Sequence, residues 1–146
     1  MHQSKLPINT NTMKYIKNFL LLFCIFFLLL SVIEKLINYN SFVLSIENTQ
    51  IFYNWLILPL SYFVIIMEIS TVITLIIKEK IGFLFLSIIF LIFSIYIIIL
   101  NHFDKYSSCG CGGLLNYLGY TRHLIFNTSI CILSFFSYLK LYQNEK

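Results

Sequence analysis

The stretch Ile81-Gly82-Phe83-Leu84-Phe85-Leu86-Ser87-Ile88-Ile89-Phe90-Leu91-Ile92-Phe93-Ser94-Ile95-Tyr96-Ile97-Ile98-Ile99-Leu100 carries no charged residue over twenty positions. A helix rises about 1.5 Å per residue, so this run can cross a hydrocarbon core of roughly 30 Å. A barrel strand would alternate apolar and polar residues, and this run is continuous. Three further segments read the same way, at about residues 15–36, 55–77 and 123–142. The expected fold is all-α, an integral membrane four-helix bundle in a single domain over residues 14–142. Polar tails at 1–13 and 143–146 flank it. Lys14 and Lys17 precede the first run as in a signal peptide. No small-x-small cleavage site follows, so an uncleaved anchor is expected.

Charge sets the expected orientation. Of the ten Lys and Arg, seven lie in the N-terminal region, the Lys78-Glu79-Lys80 connection and the C-terminal region. Lys35, Lys105 and Arg122 fall on the other side. The positive-inside bias places both termini in the cytoplasm of a cell inner membrane and residues 101–122 on the periplasmic side. Tyr53, Trp55, Tyr117 and Tyr120 at one boundary and Tyr15 and Tyr142 at the other form the expected interfacial belt. Residues 37–54 hold Phe42, Val43, Leu44 and Ile46, and are expected to lie in the outer interface as a short helix.

The 101–122 loop holds all but one of the chain's five glycines and contains Cys109-Gly110-Cys111-Gly112-Gly113. Cys-Gly-Cys can close a small, strained disulfide ring, and strain raises the reduction potential. Gly110, Gly112 and Gly113 relieve the backbone and leave the sulfurs open to a partner thiol. An oxidising compartment suits such chemistry. A static disulfide clasp fits the same five residues. A metal site with His102 or His123 is disfavoured, because structural zinc ordinarily has two or more residues between paired cysteines.

Glu68 lies some ten residues from either end of its span. A lone carboxylate there costs several kcal/mol, so it is expected to be a neutral acid. It is a candidate proton relay or quinone contact; interhelical glue is the plainer reading. Glu34 and Lys35 read as a solvated helix end, leaving Glu68 the one buried charge. Arg122 and His123 open the last span directly after the cysteine loop. Either could stabilise a thiolate; interfacial snorkelling is the plainer reading of both. Weakly polar residues recur at helical spacing: Cys24, Ser31 and Asn38; Ser61, Glu68 and Thr71; Ser87, Ser94 and Asn101; His123, Asn127, Cys131 and Ser134. Spacings of three, four and seven place each set on one helix face. The expected role is a bundle seam, with small polar groups facing other helices. Cys24 and Cys131 fall at similar depth, and inert packing is the expected use of both.

Four anchor points together resemble the methylamine-utilisation MauE family, within the wider DoxX-like group. Ser31-Val32-Ile33-Glu34-Lys35-Leu36 resembles the family's Ser-Gly-x-x-Lys-Leu ending of helix 1, with Val32 in place of its glycine. Met67-Glu68-Ile69 resembles its acidic residue in helix 2. Ser108-Cys109-Gly110-Cys111-Gly112-Gly113 resembles its Ser-Cys-Gly-Cys-Phe-Gly loop, without the aromatic residue. Arg122-His123-Leu124-Ile125-Phe126-Asn127 resembles the start of helix 4, which adds Asn127 to the candidate binding residues. The resemblance implies support for thiol–disulfide redox chemistry, or disulfide-dependent maturation of a periplasmic client. A thioredoxin-like protein is the implied partner, and methylamine dehydrogenase the founding members' client. An oxidoreductase-like activity is possible on this reading; the alternative is a non-catalytic assembly factor with a static loop. Apart from a possible quinone, no cofactor or metal is expected. The lipid bilayer is an expected partner, and nucleic acid is not.

Overall fold

The computed structural model describes residues 10–106 and 119–144. Five helices follow in chain order: α1 Thr10–Ile37, α2 Tyr39–Asn48, α3 Asn54–Ile77, α4 Glu79–His102 and α5 Tyr120–Asn144. Among the described residues there is no strand. Four helices are long and apolar enough to cross a membrane, over Lys17–Ile37, Asn54–Ile77, Glu79–His102 and Tyr120–Leu141. The helices α1, α3, α4 and α5 each cover the corresponding expected span, with one or more further residues of helix.

The surface of this bundle is inverted relative to a water-soluble one. Leu22, Phe26, Ile66 and Phe136 are each about 60% exposed or more, spread along three helices. Exposed apolar area on that scale belongs against lipid tails. The polar stripes turn the other way. Ser31, Ser61, Glu68, Thr71, Ser87, Ser94, His123, Asn127 and Ser134 are all buried. The seam reading therefore holds, except at the helix ends, where Asn38 and Asn101 are exposed.

All four long helices meet in one cluster. Cys24 and Leu28 of α1 pack with Val72 and Leu75 of α3, Phe83, Leu86 and Phe90 of α4, and Ile130 of α5. Phe27 bridges α1 to α5, with its ring 5.1 Å from that of Phe126. A second cluster, Val32, Phe42, Ile46, Ile57 and Ile65, fixes α2 against α1 and α3. Phe42 and Ile46 are four apart, so one face of this ten-residue helix is committed to the bundle. The short helix expected between the first two spans is present, packed on its neighbours.

The α3–α4 connection is tighter than the expected three residues, because Lys78 caps both helices. Two helices joined so closely must touch near the turn. Gly82 lets them: a Cβ there would lie 2.5 Å from the Leu75 Cα. Lys17 of α1 forms an ion pair with Glu79 at the same end of the bundle. Beyond α4, Asp104 adopts φ 53°, a left-handed conformation that Asp tolerates better than most residues.

Gly82→Ala should therefore destabilise the protein by about 1–3 kcal/mol, the usual range for overpacking. Gly119→Ala, where a Cβ meets nothing within 4 Å, should leave stability unchanged. Unfolding of both variants in detergent checks this.

Candidate functional site

α1 and α3 are both in contact with α2, and one ion pair lies where α1 meets α3. Lys35 Nζ donates to Glu68 Oε1 at 2.8 Å and to Oε2 at 3.1 Å. It also lies 2.6 Å from Ser31 Oγ, one turn earlier on α1. Ser31 in turn donates to Glu68 Oε1 at 3.3 Å. Lys35 and Glu68 are 3% and 1% exposed.

Helix geometry explains how a residue near the end of α1 meets one deep in α3. Side chains lean toward their own helix N-terminus. With α1 and α3 running in opposite directions, Lys35 leans into the bundle and Glu68 leans out to meet it. Phe42 of α2 covers the pair, with the ammonium 5.7 Å from its ring centre, within range of a cation–π contact.

This arrangement corrects two expectations. Lys35 does not form a solvated helix end, and Glu68 is neither alone nor the one buried charge. Both follow from α2, which folds over the end of α1 and removes Lys35 from water. Lys35 and Ser31 are the residues that sequence reasoning missed as site members. The signal was present in their spacing of four, which put the lysine on the buried Ser31 stripe.

The second polar group sits where α5 begins. His123 is fully buried, so it does not snorkel. Its Nδ1 lies 3.2 Å from the Tyr106 hydroxyl. Burial pushes the Tyr106 phenol above its ordinary pKa and keeps its proton on. The other ring nitrogen of His123, Nε2, has no hydrogen-bond partner among the described residues. Among the described residues nothing partners Asn127 Oδ1, one turn along the same face, or Ser134 Oγ. Arg122 points the other way and is exposed, as the interfacial reading expects. His102 is exposed too, edge-on to Phe103.

Cys109, Gly110, Cys111, Gly112 and Gly113 lie outside the described residues. Cys24 and Cys131 are free thiols. Cys131 donates to the Ser87 carbonyl at 3.3 Å, while Cys24 is core. Among the described residues no three His, Cys, Asp or Glu gather as metal ligands.

A hydrophobic cavity of about 140 Å³ adjoins the ion pair. Lys35 forms part of its wall, with Phe42 and Ile46 of α2, Val64 of α3, and Phe93 and Tyr96 of α4.

Fold, lipid-facing surface and buried polar interior define a multi-pass helical membrane protein. More particularly, the chain belongs to the MauE family: the family described as methylamine utilisation protein MauE matches residues 13–140. No curated protein and no solved structure matches the chain.

Removing one partner of a buried ion pair strands the other, at a cost of about 3–5 kcal/mol, whereas replacing both by apolar residues is often neutral. Lys35→Met and Glu68→Leu should each destabilise the bundle by about that amount. The double variant should recover most of the loss. Thermal unfolding of the three proteins in detergent measures the coupling.

Proposed function

We propose that this protein is an inner-membrane component of a thiol–disulfide pathway that matures an exported, disulfide-containing client, with Cys109 and Cys111 as the exchanging pair. The observation that carries the proposal is the family match over residues 13–140, which includes the Cys-Gly-Cys loop. The family description names methylamine utilisation. A methylamine dehydrogenase subunit is therefore the client to test first. The charge bias supports a periplasmic position for the loop, where disulfides persist.

The chemistry is exchange. A client thiolate attacks one sulfur of a Cys109–Cys111 disulfide and forms a mixed disulfide. A second client thiolate resolves it, leaving the client oxidised and Cys109 and Cys111 reduced. Each cycle delivers two electrons and two protons that must leave before the next. The Lys35–Glu68 pair is the candidate for handling protons inside the bundle, since both groups can exchange one. Arg122 and His123 are candidates for stabilising a thiolate, and Asn127 for binding. A thioredoxin-like protein is the expected periplasmic partner.

A second reading is favoured by the ion pair itself. Its geometry suits a structural staple holding α1 to α3, in which case the protein is an assembly factor with a static loop.

Alkylation with a mass-tagged maleimide separates the readings. Cysteines 109 and 111 should be found partly oxidised in cells and fully tagged after reduction. Cys109→Ser with Cys111→Ser should stop client disulfide formation while the bundle still folds. Thiols that remain reduced throughout growth would sink the exchange reading. Client maturation that survives both serines would favour the assembly factor.

A further inference from the structure

We propose that this protein holds one phospholipid with an ammonium headgroup, in the leaflet on the side of the α2–α3 turn. The headgroup sits in a polar groove at that turn, and the end of one acyl chain enters the cavity beside Lys35.

Two concavities meet at Phe52. The first is a groove of about 700 Å³ where α2 gives way to α3. Glu47, Asn48, Gln50 and Asn54 form its polar wall, with Tyr53 and Trp55 beside them. The second is the hydrophobic cavity of about 140 Å³. Phe52 lines both. A polar groove that adjoins an apolar cavity has the polarity profile of a lipid.

Depth fits the same molecule. Tyr53 and Trp55 are 75% and 73% exposed, as expected of aromatic residues at headgroup level. Leu60 and Val64 of the cavity wall lie further along α3. At the rise of a helix they are about 9 and 15 Å from its first residue, Asn54. Half of a hydrocarbon core is about 15 Å, so the cavity reaches the depth where the chains of that leaflet end. Ile92 belongs to the lining and is also 52% exposed on the lipid-facing side of α4. The chain therefore enters sideways, from the bilayer.

An acyl chain gains no hydrophobic energy by moving from lipid into an apolar cavity. What it restores is contact, because an empty space leaves its lining atoms without dispersion partners. A cavity this apolar does not fill with water. Its volume is close to the roughly 150 Å³ that holds one benzene, and it suits the last carbons of one slim chain. No donor is needed from Lys35, whose N–H groups are already taken by Ser31 and Glu68.

Selectivity comes from the groove. Among the described residues that line it, Glu47 is the only charged one. Its carboxylate, with the amide oxygens of Asn48 and Asn54, accepts N–H donors and so favours an ammonium. An anionic headgroup would meet like charge. The phosphate beside that ammonium has donors of its own in the side-chain amides. Lys105, whose Nζ donates to Gln50 Oε1 at 3.3 Å, adds a cation next to the groove.

Occupancy has a structural consequence. Phe42 lies over the Lys35 ammonium, and Phe42 and Ile46 both line the cavity. A chain packed against them holds α2 down over the ion pair. This role is independent of the thiol–disulfide reading and stands even if Cys109 and Cys111 never exchange.

The test is native mass spectrometry of the full-length protein in detergent, titrated with palmitoyl-oleoyl phosphatidylethanolamine or with phosphatidylglycerol of the same chains. The wild type should bind one phosphatidylethanolamine saturably, about tenfold tighter than phosphatidylglycerol. Glu47→Gln, at an exposed position, should erase that preference and leave the lipid-free unfolding temperature unchanged. Val64→Phe, which fills the cavity, should weaken phosphatidylethanolamine binding about tenfold and keep the preference. Leu60→Phe provides a second filling variant if the first fails to fold. Equal affinity of the wild type for the two lipids would overturn the proposal, as would a preference that survives Glu47→Gln. Wild-type affinity in a folded Val64→Phe or Leu60→Phe protein would overturn it too. So would binding that never saturates, since the lipid would then be an unselected part of the surrounding bilayer.

Discussion

A buried ammonium and a buried carboxylate can coexist inside a membrane bundle only while they face each other. Taking either charge out of water costs several kcal/mol, and in hydrocarbon no solvent relieves it. Lys35 and Glu68 meet this condition with Ser31 as the third member. That single requirement fixes the register of α1 against α3. It also accounts for α2: Phe42 and Ile46 close over the pair, and the same two side chains line the adjacent cavity. The rest of the bundle is less demanding. The cluster around Leu75 and Phe83 needs only apolar groups of suitable size.

The parts of the fold governed by solvent were legible in the sequence. Continuous apolar runs gave the four spans, because length and hydropathy are local properties. The polar stripes were equally legible, since a spacing of three, four or seven already defines a face. Glu68 stood out because a carboxyl in mid-span is conspicuous. Lys35 did not, because a lysine two residues from a helix end ordinarily reaches water. Its fate depends on α2 folding back, which is a tertiary fact. His123 was misjudged for the same reason. Its place beside Arg122 suggested an interfacial residue, but adjacent positions on a helix point about 100° apart. Arg122 faces out while His123 turns in to Tyr106.

The MauE family match over residues 13–140 takes in both the Cys-Gly-Cys sequence and the charged pair within the helices. Thiol oxidation produces electrons and protons together, and a protein that performs it at a membrane must send both somewhere. The Lys35–Glu68 pair and the apolar cavity beside it are built from groups of α1, α2, α3 and α4. The buried polar face of α5, from His123 to Ser134, forms a separate polar group. These residues are compatible with the redox proposal, and their packing role is sufficient to explain their burial.

Everything above turns on Lys35 and Glu68 being a charged pair within the bundle. Infrared spectroscopy of the protein in lipid, with glutamate isotopically labelled, reads the state of Glu68 directly. The account predicts a carboxylate band that is lost in Glu68→Gln, and its replacement by a protonated-acid carbonyl band in Lys35→Met. A protonated-acid band in the wild type that disappears in Glu68→Gln would contradict it.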